Sequence, residues 1–152
     1  VADYKKLGYS EKWIANRIKS IDARNELTNE WKRSGMTEGR DFALLTDLIT
    51  KTWSGKTTKE YKQFKGLTKE NLRDNMSTIE LALNTLAEAS TTEISKRRNP
   101  KSLKQNMQIA KEGGNVAKAA RMQLETTIGE SVVTSIKASD YIRPIEETSE
   151  DE

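Results

Sequence analysis

A chain of 152 residues is long enough for a single hydrophobic core; here 34 % of residues are hydrophobic and 32 % charged, with a net charge of only +3. Neither cysteine nor histidine occurs, which excludes thiol and imidazole nucleophiles, disulfides and the usual zinc, haem and iron–sulfur ligands. No apolar run approaches the ~18 residues of a membrane span, so no cofactor and no membrane partner is expected.

Two prolines and eight glycines leave room for long helices. Ser10 precedes Glu11, Lys12 and Trp13 as the N-cap of a first helix over about 11–33. Ile14, Ile18 and Ile21 form one stripe, and Trp13, Leu27 and Trp31 a second. Residues 1–33 therefore read as a long N-terminal linker helix touched from two sides, ended by Ser34-Gly35. A helical domain is expected over 34–145. Its first helix runs from about Asp41 to Thr52, with Phe42, Leu45, Ile49 and Trp53 nearly in line, and Ser54-Gly55 breaks it.

The stretch from Lys56 to Thr92 carries the most information. Thr57 with Glu60, and Ser77 with Glu80, fit the capping box, in which hydroxyl and carboxylate satisfy each other's free backbone amides. The first box opens a short helix with Lys56, Lys59, Lys62 and Gln63 on one side and Tyr61 and Phe64 on the other. Another short helix is predicted from Thr68 to Asp74. The second box opens the main helix, from Thr78 to about Lys96. Its stripe of Ile79, Ala82, Leu83, Leu86 and Ser90 reads as core with a contribution to self-association, making a homo-oligomer an expected partner.

Asn99-Pro100 reads as a helix start with proline in the first turn, Gly113-Gly114 as that helix's end, and Asn115 as the cap of a last helix closed by Gly129. Residues 100–129 would then form an αα-hairpin. Ser131 to Thr134 fits a short strand or an extended arm. Residues 146–152 hold five acids and no base, an acidic tail expected to be disordered, while residues 1–145 hold 26 bases against 18 acids. The fold class expected is all-α: an amphipathic bundle of six or seven helices.

Two basic clusters stand out. One is the lysine face of Lys56, Lys59 and Lys62. The other is Lys96, Arg97 and Arg98 with Lys101 and Lys104, more suggestive because a predicted helix N-terminus would add its dipole to the cations. Both suit phosphate contacts, which supply affinity without sequence readout. Both also fit solvated helix faces. Trp13, Trp31, Trp53, Tyr61 and Phe64 read as core rather than as stacking platforms. The carboxylate pairs Glu80/Glu88 and Glu38/Asp41 are close only in sequence and read as solvated or capping acids, so no enzyme activity is expected. Gly55-Lys56-Thr57 lacks the earlier glycine and the preceding strand of a phosphate-binding loop.

Arg24-Asn25-Glu26-Leu27, Asp41-Phe42-Ala43, Lys65-Gly66-Leu67 with Lys69, the run from Asp74 to Ala82, and Thr91-Thr92-Glu93 follow one another along the chain. This ordered string resembles the C-terminal region of bacterial DNA-damage-inducible protein D and related BRO-type prophage antirepressors. The resemblance implies a regulator tied to DNA damage or prophage control, acting without catalysis on DNA or on DNA-bound proteins. It also implies a preceding BRO domain, and the start at Val1 fits a fragment without it. No binding residue is carried over. With no signal-peptide pattern, the cytoplasm is the expected location. The alternative is a structural helical module that binds protein partners through its apolar stripe and never touches nucleic acid.

Overall fold

A computed structural model describes residues 2–142. Among them are seven α-helices: α1 (Ala2–Lys6), α2 (Glu11–Arg33), α3 (Arg40–Ser54), α4 (Thr58–Phe64), α5 (Thr78–Arg98), α6 (Leu103–Ile128) and α7 (Ala138–Tyr141). A 3-10 turn spans Arg73–Asn75, and no strand occurs among the described residues. The acidic tail, 146–152, lies outside them.

The caps read from the sequence set the helix starts. Ser10 accepts from the Trp13 amide, and both predicted capping boxes form, Thr57 with Glu60 and Ser77 with Glu80. α5 is the axis of the bundle. α2 packs along one side of it, α6 along another, and α3 lies mainly against α6. The fully buried core draws Leu27 and Trp31 from α2, Leu45, Ile49 and Trp53 from α3, Tyr61 from α4, Leu81 and Ala87 from α5, and Ala110 and Ala117 from α6. The tryptophan stripe of α2 is its buried face, while Ile18 on the other stripe is 39 % exposed. The helix expected as a linker thus packs along α5.

Three local expectations are corrected. The helix from Leu103 to Ile128 is continuous, so Gly113-Gly114 does not end it and Asn115 caps nothing. The αα-hairpin exists one helix earlier, between α5 and α6. A Cβ on Gly113 would stand 1.9 Å from Thr91 Oγ1, and one on Gly114 2.7 Å from Thr52 Cβ. The two glycines let α6 press against α5 and α3 at the same level.

The second correction concerns Asn99-Pro100. Asn99 is the left-handed C-cap of α5 (φ 51°), and the N-cap of the next helix is Ser102, which accepts from the Gln105 amide. Asparagine tolerates this backbone, and a proline soon after a C-cap is common. Third, residues 68–74 do not form the predicted helix; only the 3-10 turn at Arg73–Asn75 overlaps it. Glu70 accepts from the amides of Thr68 and Lys69, and Asn71 from that of Asp74, so local side-chain bonds take the place of the helical ladder.

Residues 131–137 form the extended arm, with Val132 and Val133 buried. At the other end Tyr9 stacks on Trp13 with ring centroids 4.0 Å apart. Tyr4 and Tyr9 donate to the Asp74 carboxylate and carbonyl (2.8 and 2.7 Å), and Trp13 Nε1 donates to the Met76 carbonyl (2.8 Å).

Candidate functional site

Two buried acids stand among the apolar residues of α5, Glu80 in its first turn and Glu88 at its middle. The Glu80 and Glu88 side chains are 0 % and 1 % exposed, so neither is a solvated acid; Glu80 is the capping acid of the Ser77 box, as expected, and Glu88 caps no helix. Glu80 Oε1 accepts from Lys65 Nζ and the Ser77 amide, both at 2.9 Å; Oε2 accepts from the Tyr61 hydroxyl and, at 3.4 Å, from the Thr134 amide. Lys65, with no exposed side-chain surface, also donates to the Ile136 carbonyl. One carboxylate therefore ties α4, α5 and the C-terminal arm together. Burial and the Glu80 charge push the Tyr61 phenol far above its ordinary range, keeping it a donor.

Glu88 is held by two guanidinium groups: Arg73 bidentately at 2.8 and 2.7 Å, and Arg24 at 3.0 Å. Burial alone would push the Glu88 carboxyl up, but Arg73 and Arg24 outweigh it by charge and hydrogen bonding and hold it below the ordinary 4.5. The folded value lies below the unfolded one, so the stability from this group is whole above about pH 4.5 and drains away as pH falls through the folded value. Thermal melts should therefore be flat from pH 7 to 5 and drop steeply below pH 4.5; a midpoint unchanged down to pH 3 would contradict this.

Beside these braces lies a groove of about 590 Å³ between α2, α3, α4 and the turn after it, lined by Arg24, Asp47, Thr58, Lys59, Lys62, Gln63 and others. A smaller chamber of about 230 Å³ shares Thr46, Thr58 and Lys62 with it and continues inward to Arg73 and Asn84. Lys59 and Lys62 make no ion pair among the described residues. Asp47 is engaged with the Thr58 amide at 3.2 Å. With one acid between two guanidinium groups, the Glu88 cluster adds an excess positive charge to this wall.

The predicted site residues divide accordingly. Lys59 and Lys62 share the groove, while Lys56 lies over the Phe64 ring at 4.3 Å. Phe64 itself is 41 % exposed, not core; Trp13, Trp31, Trp53 and Tyr61 are buried. In the second cluster Lys96, Arg97, Arg98, Lys101 and Lys104 are all exposed. Arg97 is paired with Glu93 at 2.5 Å and Arg98 with Glu112. The dipole argument for this cluster also weakens: the helix starts at Leu103, and the Lys101 amide already donates to Gln105 at 2.7 Å. Arg24 and Asn84 were missed as site residues. Their partners, Glu88 and Trp53, lie 64 and 31 residues away, and no local pattern announces such pairings.

A family model, the DinD C-terminal domain, matches residues 8–141. The chain belongs to this family. The match takes in α2 through α7, so the basic groove and both buried carboxylates lie within the DinD C-terminal domain. Comparison with curated proteins finds no match. The motifs that carried the resemblance fall largely on the braces: Arg24 on Glu88, Lys65 on Glu80, Asp74 under Tyr4 and Arg17, and Asn75 accepting from the Ala138 amide. No helix among the described residues is long and apolar enough to cross a membrane.

Proposed function

We propose that this DinD C-terminal domain is a non-catalytic interaction domain of a cytoplasmic DNA-damage-inducible regulator, and that it contacts the phosphate backbone of DNA through the α4 lysine face. The observation that carries this reading is the groove wall: Lys59 and Lys62 make no ion pair among the described residues and stand beside Arg24 and the positively charged Glu88 cluster, with Asp47 engaged by the Thr58 amide. Of the two basic clusters, this is the one whose cations converge on a concavity. Arg97 and Arg98 spend their charge on Glu93 and Glu112.

Fluorescence anisotropy of labelled duplex and single-stranded DNA, at low and moderate salt, tests the reading. Each neutralised phosphate contributes about 0.9 to the slope of log affinity against log salt on duplex and about 0.7 on single strands. A slope worth several phosphates is expected; absence of binding at low salt would sink the proposal.

A second reading rests on the outer face of α5, where Ile79 and Leu86 are 39 % and 37 % exposed while Leu83 is 5 % exposed. This face would join two copies or a protein partner. Leu83→Asp would disrupt the core, so Leu86→Asp is the informative variant. If the face is an interface, Leu86→Asp keeps the melting temperature within a few degrees but abolishes any salt-insensitive association seen by sedimentation. Unchanged association would remove this reading.

A further inference from the structure

The basic groove has an acidic counterpart in the same chain. Residues 146–152 hold Glu146, Glu147, Glu150, Asp151 and Glu152 and no base. The groove is lined by Arg24, Lys59 and Lys62 against one carboxylate, Asp47, which already accepts from the Thr58 amide. Lys59 and Lys62 make no ion pair among the described residues. Opposite charges within one chain meet at an effective concentration set by the length between them, in the millimolar range for a short connection.

Reach decides which basic cluster the acids meet. Ile142 and Leu67 line one small hollow, and Leu67 also lines the groove. The Leu67 amide donates to the Lys62 carbonyl at 2.9 Å, so a single hollow separates Ile142 from the α4 lysines. An extended chain covers at most about 3.3–3.6 Å per residue, which lets Glu146 reach about 13 Å from Ile142 and Glu150 to Glu152 about 26–36 Å. The hollow itself sets Glu70 and Asp74 against Lys137 and offers the acids little attraction. The second basic cluster is farther off. Ser77 shares another hollow with Tyr141 and Ile142, so the chain leaves the described fold beside the start of α5. The 21 residues of α5 then rise about 30 Å before Arg98. Only the last acids of a taut segment extend that far, and Arg97 and Arg98 are already paired with Glu93 and Glu112.

We propose that residues 146–152 dock in the α4 groove of their own chain, with Glu150, Asp151 and Glu152 against Lys59 and Lys62, and compete there with nucleic-acid phosphates. The docking stands on the charge and reach of the two segments; the competition rests on the reading of the groove as a DNA-contacting surface.

The chain has no cysteine, so Ser149→Cys gives a single attachment point for a nitroxide beside the last three acids. In dilute, isotope-labelled full chain at low salt, the amide resonances of residues 58–64 should broaden and those of residues 96–104 should not. The broadening should vanish when the five acids are changed to Gln or Asn, and again at 1 M salt, where the screening length is about 3 Å. Unbroadened α4 resonances, broadening centred on residues 96–104, or broadening that survives neutralisation of the acids would overturn the docking. Broadening that grows with protein concentration marks contact between chains and overturns it as well.

Duplex affinity tests the competition. At low salt the neutralised chain should bind about tenfold tighter than the wild type, a shift of about 1.4 kcal/mol. That gain should fall to near nothing when Lys59→Glu and Lys62→Glu are added. A gain that persists without the two lysines is an effect of net charge alone and overturns the competition. If neither chain binds duplex while the α4 resonances broaden, the DNA reading fails and the docking stands.

Discussion

Glu80→Leu is expected to lower the thermal midpoint by about 10 °C or more. The substitution adds apolar bulk to a buried site, so a view based on hydrophobicity alone would expect a gain. But Lys65 Nζ would lose its carboxylate where its side chain has no exposed surface, and the Tyr61 hydroxyl and the Ser77 and Thr134 amides would lose their acceptor. Removing one partner of a buried ion pair typically costs about 3–5 kcal/mol, because the charge left behind is uncompensated. For a domain of this size each kcal/mol moves the midpoint by about 2–4 °C. The same logic predicts partial rescue. Glu80→Leu with Lys65→Met removes both charges and should be more stable than Glu80→Leu alone, because an apolar pair of similar volume often replaces a buried ion pair at little cost. Urea melts of the two single variants and the double variant supply the cycle. A Glu80→Leu midpoint within about 3 °C of wild type, far less than the cited buried-pair cost implies, would show that the pair is not the lock described.

Gly113→Ala is the second large effect. In a solvent-facing helix interior the change would stabilise by about 1 kcal/mol, since alanine is the better helix former. Here the new methyl group meets Thr91 Oγ1 at 1.9 Å and the Thr91 Cα and N at 2.8 Å. The hydroxyl can rotate away; the α5 backbone cannot. α5 and α6 must separate along their shared face, and overpacking of this kind costs about 1–3 kcal/mol and sometimes more. A net loss of about 2 kcal/mol is expected in denaturant melts, with Thr91→Ala restoring only part of it because the backbone contacts remain. The exposed neighbour Asn115, changed to Ala, should be neutral or slightly stabilising. A more stable Gly113→Ala protein would mean that the helices do not approach as closely as described.

Those two sites also mark where the sequence was hardest to read. Gly113-Gly114 has the same local appearance whether it ends a helix or permits two others to approach it; only Thr91 on α5 and Thr52 on α3 distinguish the cases. Glu80 reads only as a capping acid and Glu88 only as a solvated one because their charged partners, Lys65, Arg73 and Arg24, lie 15 to 64 residues earlier in the chain. Conversely, features governed by near neighbours were legible. Ser10, Thr57 and Ser77 cap their helices because a hydroxyl and an amide three residues on are enough to do so. The tryptophan positions followed from periodicity, and all three are core. The lysine face was legible as charge at Lys59 and Lys62, but the groove behind it depends on how α2, α3 and α4 meet. The relative weight of the two basic clusters was not legible either, since the pairing of Arg98 with Glu112 forms across the α5–α6 hairpin.

Charge reversal at one cluster against the other tests the central claim most directly. Duplex binding is measured for Lys59→Glu with Lys62→Glu, and separately for Arg97→Glu with Arg98→Glu, each checked for an unchanged melting temperature. The groove variant should lose most of its affinity and about two phosphates' worth of salt slope, roughly 2 in log–log units, while the hairpin variant retains both largely intact. The opposite ranking, or two variants that bind like the wild type, would contradict the assignment of the α4 face as the DNA-contacting surface.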